Sequence, residues 1–202
     1  LTPHGILPPE QIGWKPGDPF LWPDTRRASE FLGVALQMLR AGSWEEPEWQ
    51  QRFSALRNDI STAWQKLPVE DRMKLQRRAG WLWSLARFRA SPQTVEAARN
   101  MRDRGQLTLI RSALKFLEST RCDGWQLGLA NEVSLNVDVV INCTGVGRDP
   151  LIHKLMVTGP LTPLGKSSSP AVSPGLQVIS PDGSPCDTLF CIGPATALAL
   201  GD

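Results

Sequence analysis

Val137-Asp138-Val139-Val140-Ile141-Asn142-Cys143-Thr144-Gly145 is the stretch on which the fold reading turns. It is short, β-branched and almost uncharged, the pattern of a strand buried on both faces in a parallel sheet under helices. A Thr-Gly pair at its end lets the backbone turn sharply and approach a ligand closely. The pattern recurs as Leu189-Phe190-Cys191-Ile192-Gly193-Pro194. Two buried strands, each ending in glycine, point to one edge of a nucleotide-binding sheet. The expected fold class is α/β: a helical first half followed by part of that sheet. No intact phosphate-binding glycine loop occurs in the chain.

The 202 residues suffice for one large domain or two small ones. A net charge of +2 does not by itself call for a polyanionic partner. There is no signal-peptide pattern and no apolar run long enough to span a bilayer, so the expected location is the cytoplasm, without membrane contact. The chain begins Leu1-Thr2-Pro3 without an initiator Met, and further residues are expected upstream. Eight Trp stand against no Tyr, an imbalance with no explanation at this level. Cys122, Cys143, Cys186 and Cys191 form no C-x-x-C pair, and only His4 and His153 add imidazole, so no metal site is expected. Cys143 and Cys191 read as small hydrophobes within strands.

Residues 1–23 are rich in Pro and Gly and read as an extended connector. Residues 24–105 read as a helical segment. Its first helix covers 25–41, with Asp24 as N-cap and Gly42 as stop. The second covers 47–66, where Trp49, Phe53, Leu56, Ile60 and Trp64 form one apolar stripe. The third covers 68–90. Ser91-Pro92 starts a fourth that ends at Gly105. Residues 106–202 read as an α/β segment. Cys122-Asp123-Gly124-Trp125 carries an Asp-Gly turn signal, which pairs 114–118 with 125–129 as a hairpin. A short helix is expected over 150–157, a loop or lid over 159–175, and strands over 176–179 and 188–192.

Gly145-Val146-Gly147-Arg148-Asp149-Pro150 follows a strand and precedes a helix, as a dinucleotide fingerprint does. Pro150 occupies the third glycine position, which normally permits close helix–strand packing. The segment reads as a turn lining a cofactor cleft; a turn serving chain reversal alone stays open. Gly159 to Ser167 echoes a P-loop, but its glycine spacing is one residue too long, and Pro160 and Pro163 lack the N–H groups that cradle phosphate. Between Arg72 and Arg104, nine Lys or Arg face two acids, Glu96 and Asp103. A solvated helix face is the favoured reading. Arg77, Arg78 and Arg87 are candidates for a nicotinamide cofactor phosphate, a task that suits guanidinium. Nucleic acid is disfavoured, because Trp81 and Trp83 are interleaved with Leu82, Leu85 and Phe88 as in core packing. His153 reads as structural and Asp138 as a strand-end residue. No catalytic residue is named.

Val139-Val140-Ile141-Asn142-Cys143-Thr144-Gly145 resembles the strand-Thr-Gly motif of two-dinucleotide-binding-domain flavoproteins. Leu189-Phe190-Cys191-Ile192-Gly193-Pro194 resembles their late motif, where the last strand meets the flavin. Residues 81–194, with His4-Gly5-Ile6-Leu7-Pro8 before them, are similar to bacterial FAD/NAD(P)-binding proteins related to flavin-dependent urate hydroxylase and N-hydroxylating monooxygenases. The resemblance implies a Rossmann-like oxidoreductase with FAD and NAD(P)H as cofactors and a small-molecule substrate. It implies hydride transfer to FAD, then oxygen activation at the reduced flavin, so that the cofactor carries the chemistry. It covers the later part of such a protein; the N-terminal FAD domain with its fingerprint is the missing partner. Thr144, Gly145, Gly193 and Pro194 are the implied cofactor-cleft residues. Pro194 stands where that family usually carries Asp, so contact there runs through the backbone. The alternative is a non-catalytic helical interaction module with a remnant nucleotide-binding fold.

Overall fold

The computed structural model describes residues 4–13, 20–120, 124–143 and 150–201, and their secondary structure is mixed α/β. The first half holds α1 (Ala28–Leu39), α2 (Pro47–Asn58), α3 (Ile60–Gln65), α4 (Val69–Arg87) and α5 (Pro92–Asp103). Then come β1 (Leu114–Ser119), β2 (Trp125–Leu129), β3 (Ser134–Val137) and α6 (Pro150–Thr158). The last elements are β4 (Gln177–Ile179), β5 (Pro185–Phe190), a 3-10 turn (Pro194–Thr196) and α7 (Ala197–Leu200). Two compact units divide the chain: Leu1–Gln11 with Arg89–Val146, and Ile12–Phe88 with Gly147–Asp202. The composition change near residue 105 falls inside the first.

In the larger unit the stripe Trp49, Phe53, Leu56, Ile60 and Trp64 is buried throughout, as its spacing demands. The single helix expected over 47–66 is nevertheless broken. Asp59 leaves helical geometry at φ −125° and ψ 21°. Its carboxylate accepts from the Thr62 hydroxyl at 2.9 Å, a local bond that competes with the helical ladder. The break sends the stripe to two clusters. Trp49 and Phe53 pack with Ala86, while Ile60 and Trp64 pack with Phe31, Ala63, Leu67, Leu75 and Leu198. Trp83 of α4 packs against both. Trp22 stacks on Phe31 at 4.5 Å between centroids, and Phe31 meets Trp64 edge-on at 5.8 Å.

Asp24 does not cap α1. It pairs with Arg26 at 3.0 Å and Lys66 at 3.3 Å. The helix starts at Ala28, whose N–H donates to Asp71 of α4 at 2.9 Å. Two carboxylates therefore serve this helix start: Glu30 of α1 accepts from the Arg26 and Arg27 N–H groups at 2.9 and 3.2 Å, and Asp71 reaches Ala28 from 43 residues downstream. The stretch 159–175, read as a loop or lid, is built into this unit instead. Leu164 N–H donates to Ser169 O at 2.8 Å, Ala171 N–H to Thr162 O at 2.8 Å and Ile179 N–H to Ala171 O at 3.0 Å. Leu161 and Pro170 are buried, and Leu164 packs against the larger cluster.

In the smaller unit the N-terminal segment is tied down by its backbone. Ala90 N–H donates to Pro9 O at 2.9 Å and Gln11 N–H to Ala90 O at 2.8 Å. Ser91 caps α5 as the Ser-Pro pair predicts, its hydroxyl oxygen accepting from Thr94 N–H at 3.2 Å. The hairpin read from the Asp-Gly signal is present: β1 and β2 pair antiparallel, and β3 adds to the other edge of β2. Asp123 itself lies outside the described residues. Leu117, Leu127 and Leu135 share one face, and Phe116 lies opposite Gly128. A Cβ on Gly128 would collide with the Phe116 ring, so the aromatic covers the glycine.

The two strands expected to be buried and parallel are not. β3 ends at Val137, residues 138–143 have no regular structure, and Val139 and Ile141 are 72% and 81% exposed. Cys143 is exposed too, so it is no core hydrophobe. Leu189 and Phe190 end an antiparallel strand, and Ile192 is 74% exposed. A strand apolar on both faces needs a neighbour at each edge and a layer above and below. The described residues of each unit do not supply these.

This packing has two measurable consequences. Gly128→Ala destabilises the smaller unit by about 1–3 kcal/mol through overpacking against Phe116; urea unfolding measures it, and Phe116→Ala in the same chain relieves the clash. Lys74, at 2.8 Å, and then the Ala28 N–H hold the Asp71 carboxyl below its usual range. A depressed folded-state pKa contributes stability that is complete above the ordinary aspartate value of about 3.9 and lost as pH falls through the lowered folded value. Asp71→Asn therefore lowers the denaturation midpoint at neutral pH and flattens its fall in acid.

Candidate functional site

Strand β5 leads through Cys191 and Ile192 into Gly193. Gly193 has φ 94° and ψ −161°, a region that glycine alone enters without strain. Beyond its two chain neighbours, no atom lies within 4 Å of the position a Cβ would take. Conformation, not crowding, therefore requires the glycine, and its face stays open. Gly193 and Pro194 are both exposed. Pro194 opens the 3-10 turn, where its fixed φ suits the first helical position. Thr196 donates to Gly193 O twice, from its N–H at 3.0 Å and its hydroxyl at 2.8 Å. The Ala197 N–H bonds to Pro194 O. Pro194 therefore does not open a fan of free N–H groups aimed at an anion. The tight turn closes these bonds on itself, and the surface it presents is a bare backbone face.

The chain beyond this turn is anchored from two helices. Leu198 is 2% exposed within the larger cluster. Its carbonyl accepts from the Trp64 indole N–H at 2.8 Å. Arg72, one turn into α4, donates to Ala199 O at 3.1 Å, Leu67 O at 2.9 Å and Gln65 O at 2.7 Å. Burial presses the Arg72 guanidinium's pKa downward, but an arginine stays charged. Gly201 ends α7 at φ 86°, and a Cβ there would sit 2.6 Å from Trp64 Cγ. The turn is exposed, and its continuation is locked.

No family model, curated protein or solved structure matches the chain.

The other candidate residues are dispersed. Thr144 and Gly145 lie outside the described residues. Arg77 and Arg78 are adjacent and exposed on α4. Arg87 is half-buried, with its guanidinium 4.9 Å above the Phe88 ring. Nine residues separate Arg78 from Arg87, which is about 13.5 Å along a helix and half a revolution around it. The three arginines do not meet on a single phosphate. The cation run is split between the units and partly occupied: Lys74 pairs with Asp71, and Arg99 approaches Glu10 at 3.6 Å. Trp83 packs against both aromatic clusters, whereas Trp81, Leu82 and Phe88, read with it as core, are exposed.

His153 is exposed on α6, and Asp138 is exposed just past the end of β3. The Cys186 thiol is pulled down in pKa by the Thr188 N–H and, next, its hydroxyl at 3.6 Å. Among the described residues no three His, Cys, Asp or Glu come together as metal ligands, and no helix is long and apolar enough to cross a membrane.

Arg72 and Trp64 escaped the sequence reading as site residues. Arg72 counted as one cation of nine, and Trp64 as one apolar stripe position. The local signal for Arg72 is its place: it lies five to seven residues beyond the carbonyls that end α3, across Pro68. Gly193→Ala has room for its methyl but not the backbone freedom, and it destabilises the C-terminal turn by roughly 1–3 kcal/mol. Thermal unfolding detects this loss, and unchanged stability would show that the turn tolerates an ordinary φ.

Proposed function

We propose that this chain is part of a flavin-dependent NAD(P)H oxidoreductase of the monooxygenase type. The observation that carries the reading is the open glycine face at the end of β5, where strand, glycine and proline-led turn succeed one another. The backbone of Gly193 and Pro194 lies against FAD in this reading; Thr144 and Gly145, which the resemblance also implies as cofactor residues, lie outside the described residues. The geometry fits such a contact, since beyond Ile192 and Pro194 no side chain comes within 4 Å of where a Cβ on Gly193 would sit. A bound flavin supplies hydride acceptance and oxygen activation. The chain's own part is to present bare backbone and to hold it still.

Arg77 and Arg78, consecutive and exposed on α4, receive the nicotinamide cofactor's phosphate; Arg87 lies about 13.5 Å or more further along the helix. A nucleotide-binding sheet completed by an upstream FAD domain, a small-molecule substrate and a cytoplasmic setting belong to the same reading. A second reading, a non-catalytic helical interaction module, draws support from α5, which has no buried residue, and from the strand pairs among the described residues, which are antiparallel.

Visible flavin absorbance in the purified full-length protein separates the two. The oxidoreductase reading expects flavin to co-purify and its affinity to fall about tenfold or more in Gly193→Val. A folded full-length protein with an upstream G-x-G-x-x-G that binds no flavin overturns it and leaves the interaction module.

A further inference from the structure

We infer that Arg72 and Trp64 form a latch that positions the Gly193 turn, and so tune the flavin site through α7 rather than by touching the cofactor. The inference rests on the flavin reading of that turn. Its physical basis is the path of bonds. Gly193 O is held by the Thr196 N–H and hydroxyl. Thr196, 4% exposed, leads directly into α7. α7 has only four residues, too few to hold a helical turn without tertiary support. That support comes from α3 and α4: the Trp64 indole on Leu198 O and the Arg72 guanidinium on Ala199 O.

Arg72 also binds Gln65 O and Leu67 O, at the end of α3. One planar guanidinium thereby fixes α7 relative to the elbow between α3 and α4. A lysine, with a compact ammonium, cannot span these three carbonyls in the same way. The turn is tied on both sides, by the Cys191 N–H on Leu176 O at 3.0 Å before it and by α7 after it. Loosening α7 weakens the restraint that ties its C-terminal side to the core through Leu198 and Ala199.

The test combines hydrogen exchange with FAD titration on wild type, Arg72→Met, Arg72→Lys and Thr196→Val. Thr196→Val removes one hydroxyl and leaves both helices untouched, so it serves even where Arg72→Met does not fold. The latch expects residues 190–201 to exchange about tenfold faster in Arg72→Met, with α1 and α2 unchanged. FAD affinity falls in parallel, the bound flavin's absorption envelope shifts, Arg72→Lys lies between, and Thr196→Val moves the same way by less. Unchanged exchange over 190–201 in Thr196→Val and a folded Arg72 variant overturns the latch. So does wild-type flavin affinity in a variant whose turn has loosened. If wild type binds no flavin while the turn alone loosens, the cofactor reading fails and the mechanical latch stands.

Discussion

Short helices end in carbonyls that lack an intrahelical partner, and in the larger unit side-chain N–H groups take them up. The Trp49 indole donates to Leu39 O at the end of α1, and the Trp22 indole donates to Leu56 O in the last turn of α2. Arg72 takes Gln65 O and Leu67 O beyond α3, and with Trp64 it takes the carbonyls of α7. An indole donates without accepting, so it matches a carbonyl. It also brings a large apolar body. One side chain therefore fills a cluster and satisfies a buried acceptor. This pairing gives a physical reason for tryptophan at these positions, which composition alone left unexplained.

The same constraint shapes the candidate site. A turn with an open glycine face is useful to a ligand only if its direction is set. Here the exposed residues Gly193 and Pro194 run within a few residues into the buried pair Leu198 and Ala199. The buried end is held by hydrogen bonds that a charged guanidinium strengthens. At Gly193 the exposed end carries no side chain to move aside, and its hydrogen-bonded turn leaves little backbone freedom, which is what preorganisation would mean for a backbone contact.

Much of the secondary structure was legible in the chain. The stripe from Trp49 to Trp64, the Ser91-Pro92 start of α5 and the hairpin around Gly124 each rest on local periodicity or turn chemistry. Gly193 was legible for the same reason: a glycine ending an apolar run marks a backbone that ordinary residues resist. The misreadings share a cause. Val139, Ile141 and Ile192 have strand composition, yet whether such a segment is buried depends on neighbours distant in sequence. Asp24 has the side chain of a cap, yet Glu30 and Asp71 take the N–H groups at the start of α1, Asp71 because tertiary packing brings it to Ala28.

The sequence by itself determined where the helices of residues 24–105 and α6 lie to within a few residues, which glycine must turn, and which face of the α2–α3 segment goes inside. These depend on spacing within a few residues, where sterics and periodicity act directly. Only the tertiary structure decided that the stripe divides at Asp59 between two clusters, that residues 159–175 belong to a packed unit, and that Arg72 joins the end of α3 to α7. Those outcomes turn on which donor reaches which orphan carbonyl, and across 127 residues, as between Arg72 and Ala199, chain folding sets that distance, not local preference.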